Sequence, residues 1–353
     1  MQTNYFAASN SAFGFKNYYE DCFSQLDRLY IIKGGPGTGK SGFMRAAQKN
    51  AAEKGYKTES FLCSSDPSSL DGVIIYKNNE CIGLVDGTAP HVYEPKNVGV
   101  VENIINLGEC WDEEKLHKKK NEIDKINRSK SACYEYAYDY LRSCGNLSAV
   151  TDSMCGECID FDKMSSSVYR MLKSNNKKEK GIEKIRLIDS VSMQGRVRLD
   201  TFERMAEKLY IIGDTYGTGS FMLSLIRDGL KSKNSDYMVS YDPVCPVKVN
   251  ALFDCDTKSA FVLADERIGR REENDTDKEI KYINIKRFIN PEKMSENRAE
   301  IKYACSVYKA SLHGAVVLLF RAKKYHFMLE EIFKDAMNFS AVDKMIEDFC
   351  EKI

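Results

Sequence analysis

A glycine-rich stretch near the N-terminus constrains the fold of this chain more than any other feature. Residues 34–41 read Gly-Gly-Pro-Gly-Thr-Gly-Lys-Ser, which matches the phosphate-binding pattern G-x-x-x-x-G-K-[ST]. A β-prone run at residues 29–32 precedes this stretch, and a helical pattern at residues 43–47 follows it. Strand, glycine loop and helix in this order form the context in which the pattern binds phosphate. The sequence therefore predicts a P-loop here, which we name the 34–41 loop.

The residue types in the 34–41 loop suit a nucleoside triphosphate bound together with Mg²⁺. Glycines let backbone N–H groups approach phosphate oxygens, and the following helix points its positive N-terminal end at them. We expect Lys40 to reach the β- and γ-phosphates and the Ser41 hydroxyl to ligate Mg²⁺. No guanine-reading N-K-x-D pattern occurs, so ATP is the expected nucleotide. The predicted binding residues are Gly34, Gly35, Pro36, Gly37, Thr38, Gly39, Lys40, Ser41 and Gly42.

An aspartate at the end of a predicted strand completes the predicted metal site. P-loop enzymes hold Mg²⁺ with an acid at the end of a neighbouring strand, and the apolar run at residues 82–86 ends in Asp86. We therefore assign Lys40 and Asp86 as catalytic and Ser41 and Asp86 as metal ligands. Many ATPases carry a water-activating glutamate directly after this aspartate, but Gly87 stands there. Asp66 and Glu94 are the alternative acids, although Asp66 before a proline is also a common turn residue.

Several other residues are candidates for the same chemistry. His91 follows the acid strand and either meets a phosphate or lies in a surface loop. His326 and Glu330 share one helix face and form half a metal site or a helix-surface hydrogen bond. Cys155 and Cys158 form a C-x-x-C pair without a second pair at zinc-ribbon spacing, which favours helical packing over metal binding. The candidate transition-state arginines are Arg45, Arg170, Arg186, Arg196 and Arg267.

The chain contains an internal repeat of domain size. Residues 209–220 read Leu-Tyr-Ile-Ile-Gly-Asp-Thr-Tyr-Gly-Thr-Gly-Ser and echo residues 29–40 at a distance of 180 residues. Further pairs recur at 176–178 residues, among them Asp66-Pro67 with Asp242-Pro243 and Phe161 with Phe339. Such evenly spaced matches indicate a duplicated unit of about 180 residues rather than a solenoid.

The repeat predicts an α/β fold with two tandem P-loop NTPase-like domains. We assign residues 1–175 and 182–353 to these domains, with the lysine-rich run at 174–181 as an exposed linker. In each domain a short helix, the loop with its flanking strand and helix, and further short strands are expected. These elements indicate a parallel sheet with helices on its faces. A long helical appendage or lid closes each domain, from about residue 112 to 172 and from about 291 to the C-terminus.

The second copy lacks the residues that the first copy uses for phosphate. Asp214 stands at the first loop glycine, Ser220 at the lysine and Phe221 at the metal hydroxyl. Negative charge at the loop and loss of the lysine both oppose phosphate binding. An offset of 178 places Ala264 at the metal-side acid, with Asp265 one residue later. We therefore predict that the second domain does not bind Mg-nucleotide and instead packs against the first.

Composition narrows the possible partners and location. The 353 residues include 52 Lys and Arg and 52 Asp and Glu, which gives no electrostatic basis for general nucleic-acid or membrane-surface binding. The N-terminus has no signal-peptide pattern, and the longest apolar run, residues 315–320, is expected to be a buried helix segment. The expected location is the cytoplasm. The twelve cysteines are then expected to be mostly reduced core residues.

Short motifs beyond the loop add a family resemblance. They are Leu-Asp-Gly at 70–72, Val-Asp-Gly-Thr-Ala-Pro-His at 85–91 and Ala-Met-Asn-Phe at 336–339. With the loop, they resemble a group of bacterial proteins, mainly from Firmicutes, that have two tandem P-loop domains. These proteins are described as ATP-binding proteins or nucleotide kinases. The resemblance covers nearly the whole chain and implies ATP binding on a P-loop NTPase fold, but it implies no particular substrate.

Three functions are compatible with these features. The first is an ATPase whose nucleotide state moves the helical appendages or a protein partner. The second is a kinase that transfers the γ-phosphate to a nucleotide or another small-molecule acceptor beneath a helical lid. The third is a nucleotide-sensing scaffold that binds ATP without turnover, which the missing glutamate after Asp86 favours.

Overall fold

The computed structural model describes residues 2–89, 92–172, 178–264 and 278–353. Its elements form two units. The first contains β1 (Gln2–Phe6), β2 (Ala8–Ser11), β3 (Gly14–Asn17), α1 (Tyr19–Phe23), β4 (Arg28–Lys33), α2 (Lys40–Glu53), β5 (Lys57–Leu62), β6 (Leu70–Lys77), β7 (Glu80–Asp86), β8 (Glu102–Asn106), α3 (Glu113–Lys118), α4 (Lys120–Gly156) and α5 (Phe161–Met171).

The second unit repeats this order of elements. It contains β9 (Glu183–Ile185), β10 (Asp189–Ser192), β11 (Gly195–Arg198), α6 (Thr201–Met205), β12 (Lys208–Ile212), α7 (Gly219–Ser232), β13 (Tyr237–Tyr241), β14 (Val249–Asp254), β15 (Ser259–Leu263), β16 (Glu279–Ile283), α8 (Pro291–Glu296), α9 (Arg298–Ala336) and α10 (Phe339–Lys352). The helical segments expected after residues 112 and 291 are therefore present in both units.

Each unit has one six-stranded sheet, and the two sheets share a strand order. The first sheet runs β1-β5-β6-β7-β4-β8, and the second runs β9-β13-β14-β15-β12-β16. The expectation of a fully parallel sheet is wrong in one respect, because β6 and β14 are antiparallel to both of their neighbours. Only residues 78 and 79 separate β6 from β7. A connection that short joins antiparallel strands, whereas a parallel pair needs a long crossover. The fold is thus α/β, with mainly parallel sheets.

Two hairpins that the sequence analysis did not predict join the units. The hairpin β2–β3 lies against the hairpin β10–β11, where the Asn10 amide donates to the Val191 carbonyl at 2.9 Å. The Phe6 N–H donates to the Leu187 carbonyl at 2.8 Å. Below these contacts a single apolar core combines Phe23 and Phe61 of the first unit with aromatic and aliphatic residues of the second. The two sheets therefore share a core.

The helical appendages exchange partners between the units. Helices α4 and α9 pack side by side, and they are antiparallel because Tyr140 meets Gly314 while Cys144 meets Tyr308. Beyond this pair each chain segment continues onto the opposite unit. Helix α10 packs on α2 of the first unit, and α5 packs on α7 of the second. The terminal helix of each appendage is thus part of the other unit's core, whereas α4 and α9 also contact strands of their own units.

Helix α9 is only partly buried. The run at residues 315–320 is helical as expected, with Ala315 and Leu319 buried, but Val317 and Phe320 are 46% and 48% exposed. Within the described ranges α9 alone is long and apolar enough to cross a membrane by length and composition. Core helices of soluble proteins meet the same criterion, and α9 packs along α4.

The exchange of α10 predicts a large stability effect at a residue remote from the first unit in sequence. Phe349 of α10 is buried, and its ring lies 4.9 Å from the Tyr30 ring and 5.3 Å from the Phe43 ring. We expect Phe349→Ala to lower the free energy of unfolding by about 3–5 kcal/mol because it leaves a cavity. Urea denaturation measures this. The control Phe13→Ala removes a ring that is 69% exposed, and its effect should stay within about 0.5 kcal/mol.

Candidate functional site

The 34–41 loop connects β4 to α2 and depends on unusual backbone angles. Gly37 has φ of +71°, and Gly39, which precedes the first residue of α2, has φ of +96°. Side chains with a Cβ rarely adopt such angles. The Thr38 hydroxyl donates to the Gly35 carbonyl at 2.9 Å and closes the turn. Glycine is therefore needed at both positions for the chain to enter α2.

The strand pairing brings the predicted catalytic residues together. Strand β4 lies beside β7 in parallel, with Ile32 paired to Asp86, so both strands end at the same edge of the sheet. The Lys40 ammonium lies 3.7 Å from the Asp86 carboxylate and donates to the Gly34 and Gly35 carbonyls at 3.0 and 2.7 Å. Cation and carboxylate thus meet where the loop begins, as the motif predicts.

The two predicted metal ligands have protein partners. The Ser41 hydroxyl accepts a hydrogen bond from the Leu70 N–H at 3.0 Å. One Asp86 oxygen accepts from the Thr88 N–H at 2.9 Å and from the Thr88 hydroxyl, while its other oxygen faces Lys40. Among the described residues, no group of three or more His, Cys, Asp or Glu side chains is placed to hold a metal. One hydroxyl and one carboxylate suit Mg²⁺, which takes most of its ligands from phosphate and water.

Helices from the second unit cover the loop, which the motif alone does not indicate. A Cβ built on Gly35 would lie 2.5 Å from the Phe333 ring, and one on Gly37 would lie 2.7 Å from the Glu330 carbonyl oxygen. A Cβ on Gly39 would lie 3.6 Å from Val342 of α10. The lack of a side chain at Gly35 and Gly37 therefore permits the close approach of α9. Pattern matching missed these contacts because they join residues about 300 positions apart.

Both alternative acids are held in ion pairs. Asp66 bonds to the Lys323 ammonium at 2.8 Å and accepts from the Ser68 N–H at 3.2 Å, which is a turn-forming contact. Burial raises the pKa of Asp66, but the bonds from Lys323 and Ser68 outweigh it and hold the pKa below the usual value. Glu94 pairs with Lys33 at 3.1 Å. His91 lies outside the described residues.

The candidate arginines occupy different places. Arg186 is 3% exposed and pairs with Glu59 at 2.8 Å across the two units. Arg196 pairs with Asp189 and Asp242 inside the second unit. Arg45 is an exposed residue of α2 that donates to the Ser68 carbonyl, and Arg170 donates to the Ser166 carbonyl on α5. Arg267 lies outside the described residues. Arg186 therefore serves a buried ion pair, Arg196 forms an exposed pair with the buried Asp189, and among the described candidates only Arg45 lies on the loop helix.

The remaining sequence candidates are explained by packing. His326 and Glu330 form a hydrogen-bonded pair at 3.2 Å on α9, and this bond is the largest cause of the lowered pKa of Glu330. Cys155 and Cys158 are buried at the end of α4, where burial raises the pKa of the Cys155 thiol to about 12. The Cys155 thiol lies 3.9 Å from the Tyr216 carbonyl in the second loop. Both are thus buried packing residues.

The second loop, residues 214–221, has the same turn as the first, but the carboxylate of Asp214 lies at the N-terminus of its helix. The Thr218 hydroxyl donates to the Thr215 carbonyl at 2.7 Å, as Thr38 does in the first loop. The Asp214 carboxylate accepts from the Gly219 N–H at the start of α7 at 2.9 Å. The ring of Phe221 packs edge-on to that of Phe161 at 5.7 Å. A helix N-terminus that a phosphate would need is therefore already occupied by a side chain.

The strand register corrects one correspondence. The constant offset of 178 places Ala264 opposite Asp86, but Ile212 pairs with Leu263 as Ile32 pairs with Asp86. Leu263 therefore holds the position of the acid in the second unit, and Ala264 corresponds to Gly87. The offset fails because the connecting loops of the two units differ in length. The conclusion that the second unit lacks this acid on its strand is unchanged, and Asp265 lies outside the described residues.

The close approach of α9 makes Gly37 a sensitive position. We expect Gly37→Ala to lower the melting temperature, because the positive φ alone costs about 1–2 kcal/mol for a residue with a Cβ and the new methyl group meets the Glu330 carbonyl. The matched control is Gly42→Ala in α2, where a Cβ meets no atom within 4 Å. That change should leave the protein as stable or raise stability by up to about 1 kcal/mol. Equal melting temperatures for the two variants would contradict the packing described above.

Comparisons of this chain with protein-family models, with curated proteins and with solved structures gave no match.

Proposed function

We propose that this chain binds Mg·ATP at the 34–41 loop and hydrolyses it at a single site in the first unit. One observation carries the proposal: Lys40, Ser41 and Asp86 lie at one edge of the first sheet, with the Lys40 ammonium 3.7 Å from the Asp86 carboxylate. A cation for the phosphates and two oxygen ligands for the metal are what phosphoryl transfer needs from the protein. Packing alone gives no reason for a lysine, a hydroxyl and a carboxylate to meet at a loop of glycines.

The roles of these residues follow from their present partners. Lys40 donates to two loop carbonyls, and it would exchange them for β- and γ-phosphate oxygens, because bonds between two charged groups are stronger. Ser41 and Asp86 would hold Mg²⁺ directly or through water. The ion would offset the negative charge on the β- and γ-phosphates. The N–H groups at the start of α2 would bind the remaining oxygens.

The reaction is a displacement at the γ-phosphorus. The oxygen of a water molecule forms a bond to this phosphorus, and the bond from it to the bridging oxygen of ADP breaks. ADP leaves with the electron pair of that bond, and the proton of the water passes to solvent. The loop and Lys40 act by positioning the triphosphate and by offsetting its charge.

A nucleotide sensor without turnover is the second candidate. Gly87 follows Asp86, and the two alternative acids, Asp66 and Glu94, are paired with Lys323 and Lys33. A carboxylate held by a lysine is a weaker base for water. This arrangement favours tight binding with slow hydrolysis.

Phosphate release from Mg·ATP tests these alternatives. We expect hydrolysis by the purified chain, and its loss together with ATP binding in Lys40→Met, because the variant lacks the charge that binds the phosphates. The control Lys49→Met changes an exposed lysine of the same helix and should behave as the unaltered protein. ATP binding without phosphate release supports the sensor, and ADP formation that requires an added nucleotide or metabolite supports a kinase. Absence of ATP binding contradicts the proposal.

The second loop predicts one nucleotide per chain. Asp214 already accepts from the N-terminus of α7, so we expect calorimetric titration with a non-hydrolysable ATP analogue to saturate at a single site. Ser220→Lys should not create a second site, because Asp214 and Phe221 remain. A stoichiometry of two for the unaltered chain would show that the second loop binds nucleotide.

A further inference from the structure

A buried lysine of the second unit lies beside the site of the first. Lys323 belongs to α9 and is only 7% exposed. Its ammonium lies 2.8 Å from the Asp66 carboxylate and 4.4 Å from the centre of the Phe327 ring. Lysine is almost never buried to this extent without a partner, since the loss of hydration must be offset by an opposite charge. Here Asp66 supplies that charge.

The contacts of α9 place Lys323 about two helical turns before Glu330, the α9 residue that meets Gly37 of the 34–41 loop. Asp66 begins the turn that leads to Leu70, and the Leu70 N–H donates to the Ser41 hydroxyl. Seven residues after Lys323, the Glu330 carbonyl meets Gly37. Seven residues of α-helix span about 10 Å. Helix α9 therefore runs from the Asp66 turn, which contacts Ser41 through Leu70, to Gly37 of the 34–41 loop.

The position that corresponds to Lys323 in the other appendage is not a lysine. The repeat aligns Lys323 with Gly145 of α4, and a Cβ on Gly145 would lie 2.6 Å from the Ala12 side chain. A lysine cannot occupy that position. The aspartate equivalent to Asp66 is Asp242, and it pairs instead with Arg196 of its own unit at 3.0 Å. At the second loop the described ion pair between the units has the opposite polarity, because Lys248 of the second unit pairs with Asp152 of α4 at 2.5 Å.

We propose that Lys323 is a γ-phosphate ligand that the second unit contributes to the site of the first. In the nucleotide-free protein Asp66 holds its ammonium, and on binding of Mg·ATP the ammonium turns to the γ-phosphate oxygens. A flexible stem and a compact charge allow this exchange, and a γ-phosphate carries more negative charge than a carboxylate. The inference rests on the proposed function. It assigns Lys323 the role that an arginine from a partner has in other P-loop enzymes.

Two nucleotides that differ by the γ-phosphate provide the test. We expect Lys323→Met to weaken binding of a non-hydrolysable ATP analogue about tenfold or more while the Kd of ADP changes less than twofold, since a bond to a charged group is lost only for ATP. If the chain hydrolyses ATP, kcat should fall about 100- to 1,000-fold with a smaller change in KM. Lys323→Arg should retain most of the preference for ATP. Calorimetry and phosphate release measure these values.

Two controls separate this role from a merely structural one. Lys324→Met changes the exposed neighbour, which lies over the Phe320 ring, and should alter neither nucleotide's Kd. The double variant Asp66→Asn with Lys323→Met removes the unpaired buried carboxylate that Lys323→Met alone would leave. If the double variant still binds ATP no better than Lys323→Met does, the γ-phosphate role is supported. Recovery of ATP binding in the double variant would show that Lys323 serves only to neutralise Asp66.

The outcomes also separate this inference from the proposed function. An unaltered chain that binds neither nucleotide would overturn both. An unaltered chain that prefers the ATP analogue to ADP, with the same preference in Lys323→Met, would overturn the role of Lys323 alone.

Discussion

The antiparallel contact between α4 and α9 is the interaction on which the rest of the structure depends. Because the two helices pass each other, α5 reaches α7 of the second unit and α10 reaches α2 of the first. The buried Phe349 of α10 fills the core beside Phe43. A cut between the units would therefore remove a helix from each core and expose apolar surface on both. The duplicated units are separate in sequence and joined in packing.

The same crossing brings the second unit to the candidate site of the first, although the loop of the second unit lacks the lysine and the serine of the motif. In the second loop Asp214 accepts from the N-terminus of α7, which satisfies locally what a phosphate would satisfy. The second unit nevertheless extends α9 over the first loop, where the Glu330 carbonyl meets Gly37 and Lys323 pairs with Asp66. The 34–41 loop is therefore in contact with residues of both halves. In the proposed function, the second half supports and completes the first.

Local patterns predicted the site better than the sheet. The 34–41 loop, β4, α2 and the acid at the end of β7 all lie where the sequence places them, since each depends on neighbouring residues. The predicted direction of β6 was wrong because an apolar strand pattern indicates burial and not whether a strand runs parallel or antiparallel to its neighbours. The two-residue connection to β7 was the sequence feature that could have predicted the antiparallel direction. The hairpins β2–β3 and β10–β11 were missed because strands of four residues have too little periodicity. The alignment of Ala264 with Asp86 failed because loops of different length change the number of residues between equivalent positions. The hydrogen-bond register of the strands does not depend on loop length and identifies the equivalent residue directly.

The amino-acid sequence by itself determined the glycine loop, the repeat and the loss of Lys and Ser from the second copy, because these are properties of residues close together in the chain. Only the tertiary structure decided that α9 and α10 pack on the first unit and that Lys323 meets Asp66. The helical patterns of the two appendages are compatible with packing on either unit. The shared core and the contact of α4 with α9 determine which unit each appendage packs on, and both join residues far apart in sequence.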